Sequence, residues 1–469
     1  MSVSNVIQYI NMNPLFAPHI YQERRKKLNA AFSNGVALFL TNPEAPANYP
    51  SNTYHYRQDS NFLYFFGLSL PELVGVVDFE NNKSLLFGDD FTIDDIIWMG
   101  DQPKISDLAG RIAIDEVRPL KDLPAFLKGK QVHFTPPYRA ENKIKLAHLL
   151  NKTIETLTPS VELIKAIVAL RELKSPEEIA QMEEANEIGV CMHNTVMKFC
   201  KPGVPEQQLF GFAEGIALSL GSGTSFPVIL SQNGQTLHNH DHSLILEKGR
   251  LLVTDAGAEN NMHYCSDHTR TLPVSGTFTA QQKEIYETVY QANMAAIANC
   301  KPGIQNIENH KLAVTILTEG LQKIGLMKGN IEESVALGAH ALFMPHGLGH
   351  QIGLDVHDME DLGENFVGYD DQIQRSKIFG WGSLRMAKML RPGHVISVEP
   401  GIYFIPHLID IWKNEKKFES FINYEKVEKY RNFGGIRIED CVLITETEHR
   451  VLGTHLPKSV NEIETILKP

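Results

Sequence analysis

The sequence predicts two successive domains, an α/β domain over residues 1–170 and a domain of mixed helices and strands over residues 171–469. Three observations lead to this division. A chain of 469 residues is too long for a single hydrophobic core. Short apolar runs typical of strands alternate with helix-like segments in the first third of the chain. A strong helix-start signal then follows the proposed boundary.

The first domain is predicted from four short runs of apolar, aromatic and β-branched residues. These runs cover residues 35–40, 63–66, 74–79 and 84–87, and helices are expected at 21–32 and 141–150. The alternation of the two kinds of segment is typical of an α/β domain that has its own sheet.

The second domain is expected to begin with a capped helix. Ser175 is predicted as the N-cap, Pro176 as the first helical residue and Glu178 as the partner in a capping box. An amphipathic run continues to about Cys200, where a Lys-Pro-Gly sequence ends it.

Four acidic residues and one histidine of the second domain lie in strand-like or glycine-rich segments. Because side chains alternate along a strand, three of the carboxylates are placed on inward faces. An unpaired buried charge costs several kcal/mol or more, so these groups need partners. The cage holds more acid than one cation needs, and two divalent ions that share carboxylates fit it better. The five residues are Asp255, Asp267, His350, Glu399 and Glu439.

Each of these residues, taken alone, has a simpler interpretation. Asp255 is compatible with the start of a turn, and Asp267 with a cap or a surface charge. Glu399 is compatible with a solvated strand end, Glu439 with half of an ion pair, and His350 with a hydrogen-bonded histidine of no special role. Their joint occurrence in ordered segments favours a metal site.

Composition excludes several classes of protein. A net charge of −12 without a basic patch argues against nucleic acid as a partner. No window reaches about 18 apolar residues, and residues 1–14 lack a basic segment before an apolar run, so neither a membrane span nor a secretory signal is expected. Five cysteines without CxxC spacing predict neither a disulfide framework nor a cysteine zinc site. A cytoplasmic location is therefore expected.

The histidines near the acidic cluster fall into two groups. Three lie next to its segments and are candidates for the site: His238, His346 and His357. Four are expected outside it, His240 and His242 as solvent-exposed side chains and His263 and His268 as structural ones.

These segments resemble the signatures of the pita-bread metallopeptidases, in the branch of Xaa-Pro aminopeptidase (aminopeptidase P) and prolidase. The matching catalytic segments are 255–257, 267–271, 346–358, 398–403 and 435–440, and residues 56–67 resemble the aminopeptidase P form of the N-terminal domain. The resemblance implies an α/β N-terminal creatinase-like domain followed by an α+β pita-bread catalytic domain.

The resemblance also assigns roles to residues. It implies that the five residues of the cluster hold two divalent metal ions per chain, most commonly Mn²⁺, which suits a carboxylate-rich site with one imidazole. A hydroxide bridging the metals would attack the peptide, with Glu399 as proton acceptor. The implied remaining site residues are the substrate-side histidines His238, His346 and His357, Arg437 behind the ligands, and Arg385 at the substrate's carboxylate end. For Arg385, a surface arginine on a helix is the alternative.

Two departures from the family pattern matter. The family usually separates its two aspartates by eleven positions, whereas Asp255 and Asp267 are twelve apart. The extra residue is expected to bulge the hairpin between Gly257 and Tyr264 without moving either ligand. Residues 402–434 resemble prolidase, whereas residues 56–67 resemble aminopeptidase P.

The expected function is that of a metal-dependent Xaa-Pro aminopeptidase acting on proline-containing peptides, and Xaa-Pro dipeptidase (prolidase) is the alternative. Creatinase-type hydrolysis without metals, or a binding protein on an inactive scaffold, would not retain all five ligands. By analogy with the family, a homo-oligomer, either a dimer or a tetramer, is expected.

Overall fold

The computed structural model describes residues 15–468, so residues 1–14, on which the expectation about a secretory signal rests, lie outside it. The chain divides into two compact units, Met1–Glu172 with Asp361–Phe366, and Leu173–Glu360 with Val367–Pro469. The assignment of residues 1–170 and 171–469 to an N-terminal and a catalytic domain stays a proposal. Among the described residues, no helix is both long and apolar enough to cross a membrane.

The first unit is built on a mixed five-stranded sheet. The strands of the unit are β1 (Val36–Leu40), β2 (Pro46–Tyr49), β3 (Asn52–Thr53), β4 (Val74–Asp78), β5 (Lys83–Phe87), β6 (Glu116–Arg118) and β7 (Val132–His133). The sheet has the strand order β6-β5-β4-β1-β7. Antiparallel pairs join β1 to β4 and β4 to β5, and the two outer pairs are parallel. The helices are α1 (Pro18–Asn29), α2 (Ser60–Phe66), α3 (Ile93–Met99), α4 (Ile105–Arg111), α5 (Leu123–Leu127), α6 (Ala140–Leu150) and α7 (Val161–Arg171).

One predicted strand of this unit is wrong. Residues 63–66 form the second half of α2, not a strand. The Asp59 side chain accepts a hydrogen bond from the backbone N–H of Phe62 and caps the helix start, and Gly67, at φ +69°, ends it. Every side chain of α2 is buried, so the apolar run shows no helical periodicity, and only the two caps reveal the helix.

Along the rest of the chain, helices surround several small sheets. The strands are β8 (Gly223–Thr224), β9 (Ile229–Ser231), β10 (Leu251–Ala256), β11 (Ala258–Glu259), β12 (His268–Pro273), β13 (Val395–Val398), β14 (Gly401–Tyr403), β15 (Gly435–Arg437), β16 (Asp440–Ile444) and β17 (His449–Val451). The helices are α8 (Pro176–Phe199), α9 (Glu206–Leu220), α10 (Ala280–Ala298), α11 (Asn306–Lys323), α12 (Ile331–Leu337), α13 (Glu364–Val367), α14 (Pro406–Asn414), α15 (Tyr424–Val427) and α16 (Val460–Leu467).

Helix α8 begins as its sequence predicts. Ser175 and Glu178 form the reciprocal capping box and Pro176 is the first helical residue. The buried face of α8 packs with α9, α10 and α11 against apolar side chains of β9, β10 and β12, which forms the main core of the second unit.

The hairpin of β10 and β12 carries the first two acidic residues. Its antiparallel register runs without a shift from Leu251 opposite Pro273 to Ala256 opposite His268, and a bridge between Glu259 and Cys265 continues it. The loop closes with His263 at φ +65°, the left-handed residue of a three-residue hairpin loop. The extra residue is therefore accommodated at the loop, and the ladder that holds the aspartates is regular.

A second hairpin carries the two glutamates. Val398 pairs with Asp440 and Gly401 pairs with Arg437, so Glu399 lies opposite Glu439 where the ladder is interrupted. Pro400, which has no N–H to donate, follows Glu399 at this interruption. A bridge between Thr269 and Glu439 joins this hairpin to β12. The ends of β10, β12, β13 and β16, which carry or adjoin the four acidic residues, thereby meet at one place.

The loop that contains His357 is anchored by a buried ion pair. Lys174 Nζ lies 2.8 Å from the carboxylate of Asp358, and each side chain is only 1% exposed. The Lys174 N–H also donates to the carbonyl of Gly393. This pair ties the residue after His357 to the segment that precedes α8.

We expect Lys174→Met to lower the free energy of unfolding by roughly 3–5 kcal/mol, because it removes a cation from a buried carboxylate. Chemical denaturation at a fixed metal concentration measures the effect. Lys283→Met is the matched control, since Lys283 is 42% exposed in its pair with Glu464 and should cost less than about 1 kcal/mol. Equal costs for the two variants would contradict the structural role given to Lys174.

Candidate metal centre

A cleft of about 290 Å³ in the second unit brings together all ten predicted site residues. Apolar side chains, including those of Phe226, Ile229 and Val356, form part of its wall. The predicted residues that line it are His238, Asp255, Asp267, His346, His350, His357, Arg385, Glu399, Arg437 and Glu439.

Three of the four carboxylates at the base of the cleft, those of Asp255, Asp267 and Glu439, are buried and incompletely hydrogen-bonded. Asp267 and Glu439 are 5% and 1% exposed. Glu439 Oε2 accepts a hydrogen bond of 2.7 Å from the Thr269 hydroxyl, but Glu439 Oε1 has no hydrogen-bond partner within residues 15–468. The same holds for the Oδ1 atoms of Asp255 and Asp267. Three buried oxygens thus point to a cation that the polypeptide does not supply.

His350 is oriented towards these carboxylates. Its Nδ1 lies 3.0 Å from the carbonyl of Gln351, so Nδ1 carries the proton and Nε2 is left with a lone pair. Nε2 lies 3.4 Å from Asp267 Oδ2 and 3.5 Å from Glu399 Oε1. A Cβ on Gly349 would meet the carbonyl oxygen of Ser397 at 2.0 Å, so only glycine allows this segment to approach β13.

Burial and mutual repulsion change the acidity of the cluster. Burial raises the pKa of Glu399 to about 7, and the charge of Asp267 adds to the effect. Burial also holds the pKa values of Asp267 and Glu439 well above their usual range, with further contributions from Asp255 and Asp267 respectively. The polypeptide alone therefore favours protons on these groups, and cations that replace the protons would relieve the repulsion.

Arg437 partly neutralises the cluster from behind. Its guanidinium contacts Asp255 Oδ2, donates to the Thr269 hydroxyl at 3.1 Å and donates to the Tyr403 hydroxyl at 2.8 Å. The Tyr403 hydroxyl lies 2.9 Å from His346 Nε2. Since His346 Nδ1 lies 2.8 Å from the Gly347 carbonyl, both ring nitrogens of His346 have protein partners.

A second group of side chains lies along the wall of the cleft. The His357 ring lies against that of His350, tilted by 59° with ring centroids 4.1 Å apart, and its Nδ1 forms a short hydrogen bond with Glu360. The same Glu360 oxygen lies 3.4 Å from Arg385 Nε. Arg385 follows the short 3₁₀ helix Trp381–Ser383 and lies outside any helix, which removes the alternative of a surface helical arginine. His238 is exposed at the cleft.

Of the four histidines expected outside the site, two differ from expectation. His242 is buried, not solvent-exposed, because its ring stacks on Phe210 with centroids 4.3 Å apart and its Nδ1 lies 2.8 Å from the Leu230 carbonyl. His240, although exposed as expected, lies at the cleft. His263 and His268 are buried.

Two residues of the site were absent from the sequence-based set. Tyr403 lies two and four positions after Gly401 and Glu399, and the register, which is the same on both sides of the interruption at Glu399, places it on the same face. Alternation along the strand was therefore a signal that could have identified it. Glu360 lies in a loop, and no motif or periodicity marks it.

The residues present fit a divalent metal. Among the described residues, Asp267, His350 and Glu439 each offer one ligand atom, and these atoms lie within 4.8 Å of one another. Carboxylate oxygens with one imidazole nitrogen suit a hard or borderline divalent cation. Asp255 and Glu399 border the same cleft and offer further oxygens.

Comparison with known proteins now decides the family. The profile of metallopeptidase family M24 matches residues 180–446, which is more than half of the chain, and that of the aminopeptidase P N-terminal domain matches residues 21–133. The chain belongs to metallopeptidase family M24. The fold class predicted from the sequence, a creatinase-like N-terminal domain followed by a pita-bread catalytic domain, is confirmed.

Relatives of this M24 metallopeptidase carry two different names. It is 32% identical to the Xaa-Pro dipeptidase of Homo sapiens over 95% of this chain and 91% of that protein. It is also 32% identical to the Xaa-Pro aminopeptidase of Escherichia coli over 95% of this chain and 97% of that protein. The solved structure of Pseudomonas aeruginosa aminopeptidase PepP superposes with a TM-score of 0.80 at 29% identity, covering 97% of this chain and 98% of that one.

The raised acidities predict how metal should stabilise this M24 metallopeptidase. In metal-free protein, Glu399 keeps its proton up to about pH 7 when folded but loses it near its usual 4.5 when unfolded, so stability falls as pH rises between these values. Cations and protons compete for the same carboxylate oxygens, so cations bind more tightly as the pH rises and the protons dissociate. We expect Mn²⁺ to raise the Tm of chelator-treated protein more at about pH 7.5 than at about pH 5, as scanning calorimetry would record. Equal increments at both pH values would be inconsistent with this electrostatic picture.

Proposed function

We propose that this metallopeptidase releases the N-terminal residue from peptides that have proline in the second position. The observation that carries the proposal is the cluster of four carboxylates, three of them buried, and one buried histidine at the base of an apolar-walled cleft. The chain also aligns with nearly the whole of an Xaa-Pro aminopeptidase. Apolar wall residues suit the pyrrolidine ring, which lacks an N–H donor.

Two divalent ions, Mn²⁺ in this proposal, would be held by Asp255, Asp267, His350, Glu399 and Glu439. The orphaned oxygens of Asp255, Asp267 and Glu439 and the bare Nε2 of His350 support this ligand set. When bound, such ions would polarise the scissile carbonyl and acidify a water molecule.

Glu399 is the proposed proton acceptor. Its Oε1 accepts a hydrogen bond of 3.2 Å from the Ser397 hydroxyl and lies 3.5 Å from His350 Nε2. Within residues 15–468, the polar contact of Oε2 is His346 Nδ1, at 3.8 Å. We therefore assign proton acceptance, and later delivery to the leaving proline nitrogen, to Glu399 Oε2.

His357 is the proposed hydrogen-bond donor to substrate. With Nδ1 engaged by Glu360, Nε2 remains for the oxygen that gains negative charge as the carbonyl is attacked. His238, exposed at the cleft, is assigned to substrate binding. His346 and Arg437 act through Tyr403 and Asp255: their contacts hold the hydroxyl and carboxylate in place and neutralise part of the cluster's charge.

Xaa-Pro dipeptidase is the second candidate function. It is favoured by the similarity to the human dipeptidase and by Arg385, a guanidinium in the cleft that can pair with the free carboxylate of a dipeptide. The chemistry of bond cleavage is the same for both functions. The two functions differ in the group that follows the proline of the substrate, which is a free carboxylate for the dipeptidase and a further residue for the aminopeptidase.

Three broader properties belong to the proposal. The five cysteines are free, which supports a reducing, cytoplasmic setting. A dimer or tetramer is proposed by analogy with the family alone. The net charge of −12 supports peptides, and not nucleic acid, as the partners.

Glu399→Gln should lower kcat by roughly 10²–10⁴ or more, because it removes the proton acceptor and a metal ligand together. His357→Ala should lower kcat while the metal content stays near that of the wild type. Steady-state kinetics with elemental analysis measures both. If His357→Ala empties the site of metal, His357 is a ligand and its assignment as a donor to substrate is wrong.

A panel of Xaa-Pro dipeptides and Xaa-Pro-Xaa tripeptides should separate the two candidate functions. We expect efficient cleavage of the tripeptides, and little effect of Arg385→Ala on them. For a dipeptidase, Arg385→Ala should instead raise KM for Xaa-Pro about 10- to 100-fold, because a charged hydrogen bond to the carboxylate is lost. Rapid hydrolysis of dipeptides with no cleavage of any tripeptide would favour the second candidate.

A further inference from the structure

Glu360 places a negative charge between two cationic or polar groups of the cleft wall. One carboxylate oxygen, Oε2, accepts the hydrogen bond of His357 Nδ1 and also lies 3.4 Å from Arg385 Nε. The Glu360 side chain is 42% exposed, so it is not part of a buried structural ion pair. It belongs to neither the metal cluster nor its supporting network.

This contact changes what a substrate encounters at Arg385. A guanidinium in a cleft is a ready partner for a free carboxylate. Here a resident carboxylate already neutralises it, and a second carboxylate arriving at the same place would face Glu360 as a like charge. A dipeptide carries its carboxylate on the proline itself, whereas a longer peptide has a neutral amide at that atom.

We propose that Glu360 is a specificity-determining residue that disfavours a free carboxylate on the proline and so directs the enzyme to peptides longer than two residues. The proposal deepens the proposed aminopeptidase function and rests on it for the reaction. Glu360 acts by occupying Arg385 and by repelling the dipeptide's terminal charge. Arg385 thus becomes a carboxylate receptor only when Glu360 is displaced or replaced.

A purely positioning role for Glu360 makes a different prediction. Glu360 also orients His357, and loss of that hydrogen bond would slow the cleavage of every substrate to the same extent. The specificity role instead changes the ratio between two substrates that differ only in the terminal charge. Ala-Pro and its C-terminal amide form such a pair, because they match in size and differ by one negative charge.

The test compares kcat/KM for Ala-Pro, Ala-Pro amide and Ala-Pro-Ala in the metal-loaded wild type, Glu360→Gln and Glu360→Ala. We expect both variants to raise the Ala-Pro to Ala-Pro amide ratio roughly tenfold or more, the scale of one charged interaction. Adding Arg385→Ala to Glu360→Gln should remove the gain. Calorimetric binding of Ala-Pro and its amide to chelator-treated protein gives the same comparison without turnover.

Glu446→Gln is the matched control, since Glu446 is exposed, carries the same charge and contacts neither His357 nor Arg385, the two partners of Glu360. It should leave the ratio unchanged. A ratio within twofold of the wild type in both Glu360 variants, whether or not all rates fall together, would overturn the proposal. The proposed aminopeptidase function fails separately, if the wild type cleaves Ala-Pro but not Ala-Pro-Ala.

Discussion

Repulsion among four carboxylates is the constraint on which the rest of the site depends. Two hairpins hold Asp255, Asp267, Glu399 and Glu439 together in a space where water cannot fully solvate them. Like charges at short range in a protein interior either bind protons or attract cations. The raised pKa of Glu399 is one consequence of this crowding of carboxylates, and the other is that oxygens of Asp255, Asp267 and Glu439 have no hydrogen-bond partner within residues 15–468.

The surrounding scaffold has to hold the carboxylates in place against that repulsion. Arg270, which is 1% exposed, donates to the backbone carbonyl of Glu439 at 2.7 Å and to the carboxylate of Asp440 at the same distance. Lys458 Nζ lies 2.7 Å from the other oxygen of Asp440. These contacts fix the backbone beside a ligand through charges that face away from the cleft. The site therefore separates two tasks, binding charge on one face of the strands and holding their position on the other.

Much of this arrangement could be predicted from the sequence, and the exceptions have physical causes. Strand alternation places three of the carboxylates, because short-range geometry decides which face of a strand each side chain occupies. The histidines, Arg385 and Arg437 are assigned to the site through the resemblance to the family's signature segments. The capping box of α8 is equally local. By contrast, residues 63–66 are buried on all sides, so their apolar run contains no periodicity to read. Glu360 reaches the site through the path of a loop, and His242 is buried by a partner, Phe210, that is remote in sequence.

The register of the glutamate hairpin determines how substitutions at buried apolar positions would affect metal binding. Because side chains alternate, a slip of one residue would turn Glu399 and Glu439 away from the cleft and present Val398 and Ile438 in their place. The fully buried Val398 and Ile438 oppose that slip, while the carboxylates themselves favour it. Substitutions at these two apolar positions would therefore lower the amount of metal that the protein retains, although neither side chain is a candidate ligand.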